Sequence, residues 1–229
     1  MKRILLLSSL LVTHLVAFST SNIQYLYGNF EGPTFLDTQS GAKQTVTAEH
    51  YRTWEYGDLF MFAEYAYAKK GLQFSNLKND LYGEFSPRIS LNKIANIPIS
   101  DSLIKEWYGA YQHNRCDGYR ADLYGIGTDL NLPGFDVFGV NGYRKIRYLM
   151  SDTYQLSFNY TATLSERWHF EGFSDWTTVD FLTQNQLLFN LAPALTAGKL
   201  EIGTEWHYYH ENTYHKSNDT FQAMIKYTF

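Results

Sequence analysis

Residues 152–162 read DTYQLSFNYTA, and they alternate almost without fault. Tyr154, Leu156, Phe158 and Tyr160 fall on one side, with Thr153, Gln155, Ser157, Asn159 and Thr161 on the other. Successive side chains of a strand point to opposite faces, so this period of two predicts a strand with one apolar and one polar side. The last twelve residues, NDTFQAMIKYTF, carry the pattern to the final position. Phe221, Ala223, Ile225, Tyr227 and Phe229 oppose Thr220, Gln222, Lys226 and Thr228. Residues 199–211 repeat it, with Leu200, Ile202, Trp206 and Tyr208 against Glu201, Glu205, His207 and Tyr209.

Working outward, twelve such segments are predicted, at about 22–29, 44–55, 58–68, 79–91, 102–113, 118–131, 134–148, 152–164, 166–178, 183–194, 199–211 and 219–229. Their length and short connections suit tilted strands that cross a bilayer. Composition agrees. Aromatic residues make up 17% of the chain, with Tyr 19, Phe 16 and Trp 5, yet mean hydropathy is negative. A lipid-facing apolar side that alternates with a polar lumen averages out this way, and its interfaces carry aromatic girdles. The expected fold is therefore all-β, a transmembrane antiparallel β-barrel of about 12 strands. The even count places both termini on one side, the periplasmic one.

The opening MKRILLLSSLLVTHLVAFSTS places Lys2 and Arg3 before an apolar run from Ile4 to Phe18, then small residues. It reads as an export signal cut after about Ser19, too short for a membrane helix. Residues 20–229 then form one barrel domain. Removing nineteen of 229 residues leaves 210, with 17 basic and 23 acidic side chains, a net charge of −6. Mild acidity argues against nucleic acid as a partner. The one cysteine, Cys116, excludes an intrachain disulfide and a cysteine-based metal site. His207 and His210, in the histidine-rich stretch WHYYHENTYH, differ in parity and cannot face one ion from a regular strand. No cofactor, metal site or catalytic group is expected.

Three stretches in order narrow the reading: EFSPRISLNKI from Glu84, IKEWYGAY from Ile104, and YGIGTDLNLPGFDVFGVNGYRK from Tyr124. The series Glu84-x-x-Pro87-Arg88-x-Ser90, Lys105-Glu106-Trp107-Tyr108 and Gly125-x-Gly127-Thr128-Asp129 resembles the Tsx-type nucleoside-specific channel-forming porins and their OmpK relatives. TVTAEHYRTWEYGDLFMF and FEGFSDWTT fall where that family has comparable segments. The resemblance implies a monomeric twelve-stranded outer-membrane barrel with passive uptake of nucleosides. It also implies recognition of the last strand by the outer-membrane assembly machinery. Outer loops that serve as a phage or toxin receptor are a further expectation of this class.

A nucleoside offers a flat π-face, base-edge donors and acceptors, and ribose hydroxyls, so a favouring pore needs aromatic platforms beside carboxylates, amides or guanidinium. On strand 79–91, Leu81, Phe85, Ile89 and Leu91 take the lipid side and put Tyr82, Glu84, Ser86, Arg88 and Ser90 in the lumen. Glu84 and Arg88 lie four apart, roughly 13 Å along a strand, too far to pair directly. Glu106 and Tyr108 are placed inward, with Lys105 at the rim. Phe173 and Asp175 share the lumen face with His169 and Glu171, opposite Trp168, Phe170 and Trp176. Phe60, Phe62 and Glu64 form a similar group. Asp129, Asn141 and Tyr143 complete the pore-lining candidates, although strands 118–131 and 134–148 could present either face to the lumen. A parity change between Val137 and Phe138 predicts a bulge or a shifted boundary.

A barrel with a plugged lumen and a structural or receptor role is the main alternative, followed by a channel for another small polar solute. A phospholipase barrel would need a serine activated by an outward-facing histidine. His215 in HKSND is the nearest approach, and it sits in a connection, so no enzyme is expected.

Overall fold

In a computed structural model, the structure describes residues 18–31, 40–69, 78–99, 102–193, 198–213 and 215–229. The body of the expected signal segment, residues 1–17, lies outside them. The twelve strands are β1 (Phe18–Glu31), β2 (Ser40–Trp54), β3 (Gly57–Ala68), β4 (Asn79–Ser90), β5 (Ile104–Cys116) and β6 (Tyr119–Leu130), then β7 (Val137–Arg147), β8 (Thr153–Thr163), β9 (Trp168–Thr177), β10 (Asp180–Asn190), β11 (Lys199–Glu211) and β12 (Lys216–Thr228). Each pairs antiparallel with its neighbour in sequence, and β1 closes the barrel on β12. That seam runs from Asn22 opposite Thr228 to Gly28 opposite Gln222. Closure removes both sheet edges, so every wall strand has two partners. A cut after Ser19 would remove the first two residues of β1 and leave the seam intact.

All twelve expected segments are strands, and the alternation sets their facing. On β12, Phe221, Ala223, Ile225 and Tyr227 are exposed while Thr220, Gln222 and Lys226 are buried. The outer wall carries Leu81, Ile126, Tyr154, Trp176 and Phe221 at 60, 61, 71, 60 and 69% exposure, an apolar surface that water alone would not tolerate. Trp168 and Trp176 stand outside at opposite ends of β9, one near each rim.

Three expectations change. Leu91 does not extend the fourth strand; it opens a short helix, α1 (Leu91–Ala95). Ser90 caps it by accepting from the Lys93 amide at 3.1 Å, and Asn96 ends it at φ 52°. Five residues are too few for helical periodicity to show. Second, β7 begins at Val137, not at residue 134, and its register against β8 runs unbroken from Val137–Thr161 to Lys145–Thr153. The parity change there was a boundary; the register shift falls instead between Ile104 and Glu106, at the start of β5. Third, the facing left open is settled. Tyr119, Ala121 and Leu123 of β6 and Asn141, Tyr143 and Lys145 of β7 are buried in the lumen.

Candidate functional site

Alternation puts Tyr82, Glu84, Ser86, Arg88 and Ser90 of β4 on the inner wall, and their partners come from neighbouring strands. The Arg88 guanidinium donates to Asp58 on β3 through Nε at 2.9 Å and Nη2 at 2.7 Å. It also donates to Asp129 on β6 through Nη1 at 2.9 Å. Its plane lies 4.1 Å from the Tyr108 ring centroid, and the Tyr108 hydroxyl donates to Asp129 at 3.0 Å. The planar fork of arginine matches two carboxylates at once, so one cation stitches β3, β4 and β6 together across Tyr108 of β5. Beside it Ser90 donates to Glu106, which also meets Lys93 of α1 at 3.4 Å. Lys105 points outward. Glu84 and Arg88 are indeed unpaired with each other, and Glu84 accepts from Ser86 at 2.8 Å.

Further along the lumen, aromatic rings line one wall. Phe60 and Phe62 have centroids 5.8 Å apart, and Phe62 and Tyr82 are 5.5 Å apart. Tyr82 packs against a buried cluster that includes Tyr119, Leu123 and Tyr143. Glu64 accepts from Thr47 at 3.5 Å. Phe173 and Asp175 project inward from β9, and Asp175 accepts from Ser157 at 2.6 Å. Asp175 lies within electrostatic reach of Glu84 across the lumen. The sequence pair Gly125 and Gly127 now has a reason. A Cβ on Gly125 would sit 1.9 Å from the Gly142 carbonyl oxygen, and one on Gly127 would sit 2.0 Å from Asn141 Oδ1. Their absence lets β6 and β7 close up with Asn141 and Tyr143 directed inward. Asn141 Oδ1 is buried with no hydrogen-bond partner among the described residues.

A second charge cluster was only partly visible in sequence. Lys226 of β12 pairs with Glu171 of β9 and lies 3.9 Å from Glu49 of β2, which accepts from Asn22 at 2.8 Å. His169 Nδ1 stands 2.8 Å from Glu201, and Lys199 reaches the same carboxylate at 2.8 Å. Lys226, Glu171, Asn22, His169, Lys199 and Glu201 rim a cavity of about 290 Å³ at the end of the barrel where Phe229 sits. Toward the other end, Glu205 accepts from Gln186 and Gln222, each at 2.8 Å, and Gln186 donates to Gln24 at 3.1 Å. Strands β10 and β1 are three apart, so the wall curves tightly there. Lys43 lies 4.7 Å over the Phe30 ring. Among the described residues, and counting all inward carboxylates, including Glu64 and Asp180, the acids outnumber the inward cations Lys43, Arg88, Lys145, Arg147, Lys199 and Lys226 by about two to one.

Every one of the twelve sequence candidates faces the lumen, but they do not converge on one spot. Arg88, Tyr108, Asp129 and Glu106 belong to the brace near α1. Tyr82, Glu84, Phe60, Glu64, Asn141, Tyr143, Phe173 and Asp175 spread along the middle. Asp58 and Lys226 were missed, although their parity marks them as inward, because their partners lie thirty or more residues away.

The barrel is similar to the solved KdgM porin, determined alone and in complex with disordered oligogalacturonate. Identity is 9%, coverage is 91% of this chain and 99% of that one, and the TM-score is 0.53. It is also similar, at TM-score 0.42, 8% identity and coverage of 92% and 97%, to OpdQ of Pseudomonas aeruginosa. Omp33 of Acinetobacter baumannii gives 0.40 at 13% identity, with coverage of 92% and 97%. No family model matches the chain, and no curated protein matches it in sequence. The likeness to the KdgM porin shows a shared closed-barrel fold and nothing beyond it.

Proposed function

We propose that this chain is an outer-membrane channel that passes small neutral or cationic polar solutes by passive diffusion, with nucleosides the class its wall suits best. One observation carries the reading: the inward run Phe60–Phe62–Tyr82, with ring spacings of 5.8 and 5.5 Å, stands next to the Glu84 carboxylate. A base can slide along such rings, each contact worth roughly 1–3 kcal/mol, while carboxylates and amides engage the ribose and base edges. The Tsx-like stretches support the same solute. Arg88 enters this reading as a brace, since Asp58 and Asp129 already occupy its donors. The excess of lumen carboxylates disfavours a polyanion such as the oligogalacturonate found with the KdgM porin.

Single-channel conductance of the purified barrel in a planar bilayer tests this. Adenosine or thymidine should reduce the current saturably where glucose does not, and Phe62→Ala should weaken that block roughly five- to hundredfold. Equal block by glucose would refute the nucleoside preference. A second reading, a barrel filled by its own side chains, is favoured by Gln24, Gln222 and Glu205, which are only 2, 2 and 3% exposed. Absence of any current would decide for it.

A further inference from the structure

The outer wall has a feature that lumen traffic does not explain. A groove of about 750 Å³ runs over β7, β8 and β9 and reaches the rim away from Phe229, at the turn residues Thr178 and Asn212. Its lower part is apolar. Gly142, Leu156 and Trp176 lie in one row across the three strands. Gly142 leaves a dip, because a Cβ there would meet nothing within 4 Å. Leu156 and Trp176, 36 and 60% exposed, form the sides. One row nearer the rim stand Arg144 and Tyr154, opposite each other in register.

The Arg144 side chain is 64% exposed and pairs with Asp152 at 3.1 Å, itself 44% exposed. Such an exposed ion pair is weak and readily shared with another anion. Arg120, stacked 5.1 Å over Tyr148, adds positive charge at the same rim. An apolar trough that ends under a guanidinium at the edge of an aromatic belt fits a molecule with an acyl chain and an anionic phosphate.

We propose that this groove binds one phosphate-bearing lipid of the surrounding bilayer, with an acyl chain along Gly142, Leu156 and Trp176 and its phosphate on Arg144. The proposal rests on the wall being embedded in a membrane and is independent of what crosses the lumen.

Native mass spectrometry of the full barrel, titrated with phosphatidylglycerol and with phosphatidylcholine of the same chains, tests it. One phosphatidylglycerol should stay bound at least fivefold more than phosphatidylcholine. Arg144→Gln should abolish that preference while the barrel keeps its folded, heat-modifiable migration. Gly142→Leu, which fills the dip, should reduce retention of both lipids, and Trp176→Ala serves as a second groove variant if it folds poorly. Equal retention of the two lipids by the unaltered barrel, or an unchanged preference in Arg144→Gln, would overturn the proposal. So would loss of the preference in the presence of an equal concentration of inorganic phosphate, which would mark the site as one for a free anion. None of these failures touches the conductance test, and a barrel without current would leave the lipid result standing.

Discussion

Replacing Arg88 by Met should expose how far the barrel depends on one inward cation. Its side chain is 11% exposed, and its partners Asp58 and Asp129 are 5 and 21% exposed. Met keeps much of the volume but removes every donor, stranding Asp58 where water scarcely reaches. Breaking a buried ion pair by deleting one member costs about 3–5 kcal/mol, because the other charge is left uncompensated. Asp129 is the wetter partner and can recover some hydration, so the lower figure, about 3 kcal/mol, applies here. With a urea slope of about 2 kcal/mol/M, the unfolding midpoint should fall by about 1.5 M. Urea unfolding in lipid vesicles, followed by tryptophan fluorescence, measures this. Arg88→Lys should recover only part of the loss, since an ammonium cannot hold both carboxylates in a fork. The triple variant Arg88→Met, Asp58→Asn, Asp129→Asn should recover most of it, because no orphaned charge remains. A loss below about 1 kcal/mol for Arg88→Met would refute the brace and return Arg88 to the list of solute contacts.

The excess of inward carboxylates predicts cation selectivity: in a tenfold KCl gradient the reversal potential should take the sign of a more permeant potassium, and Glu84→Gln with Asp175→Asn should reduce it; a chloride-selective current would contradict the charge balance. Gly125→Ala should destabilise the barrel by about 1–3 kcal/mol or more, since the new methyl group would meet the Gly142 carbonyl at 1.9 Å. The folded fraction on a heat-modifiability gel reads this, and normal folding yield would contradict the close approach of β6 and β7. Ser90→Ala removes both the α1 cap and the donor to Glu106, so amide exchange over residues 91–97 should accelerate by a factor consistent with about 1–2 kcal/mol. Unchanged exchange there would mean that contacts other than the cap hold the helix.

What the sequence determined by itself was periodicity and everything that follows from it locally. A strand's side chains alternate whatever its partners, so DTYQLSFNYTA and NDTFQAMIKYTF declared their inner and outer faces, and all twelve segments could be found one at a time. Facing failed only where the pattern was blurred, in β6 by inward Ala121 and Leu123 and in β7 by a start three residues late. Those inward apolar residues pack against Tyr119 and Tyr143, a reason that exists only once the strands are side by side. The tertiary structure alone decided who meets whom. Glu84 and Arg88 share one face of one strand, and the closed wall gave Arg88 to Asp58 and Asp129 and gave Glu84 to Ser86. Lys226 found Glu171, 55 residues away, because β12 and β9 approach where the wall curves. The lipid groove is the same lesson on the outside. Gly142, Leu156 and Trp176 are unremarkable in sequence, and only the inter-strand register, fixed by backbone hydrogen bonding around a closed barrel, sets them in one row.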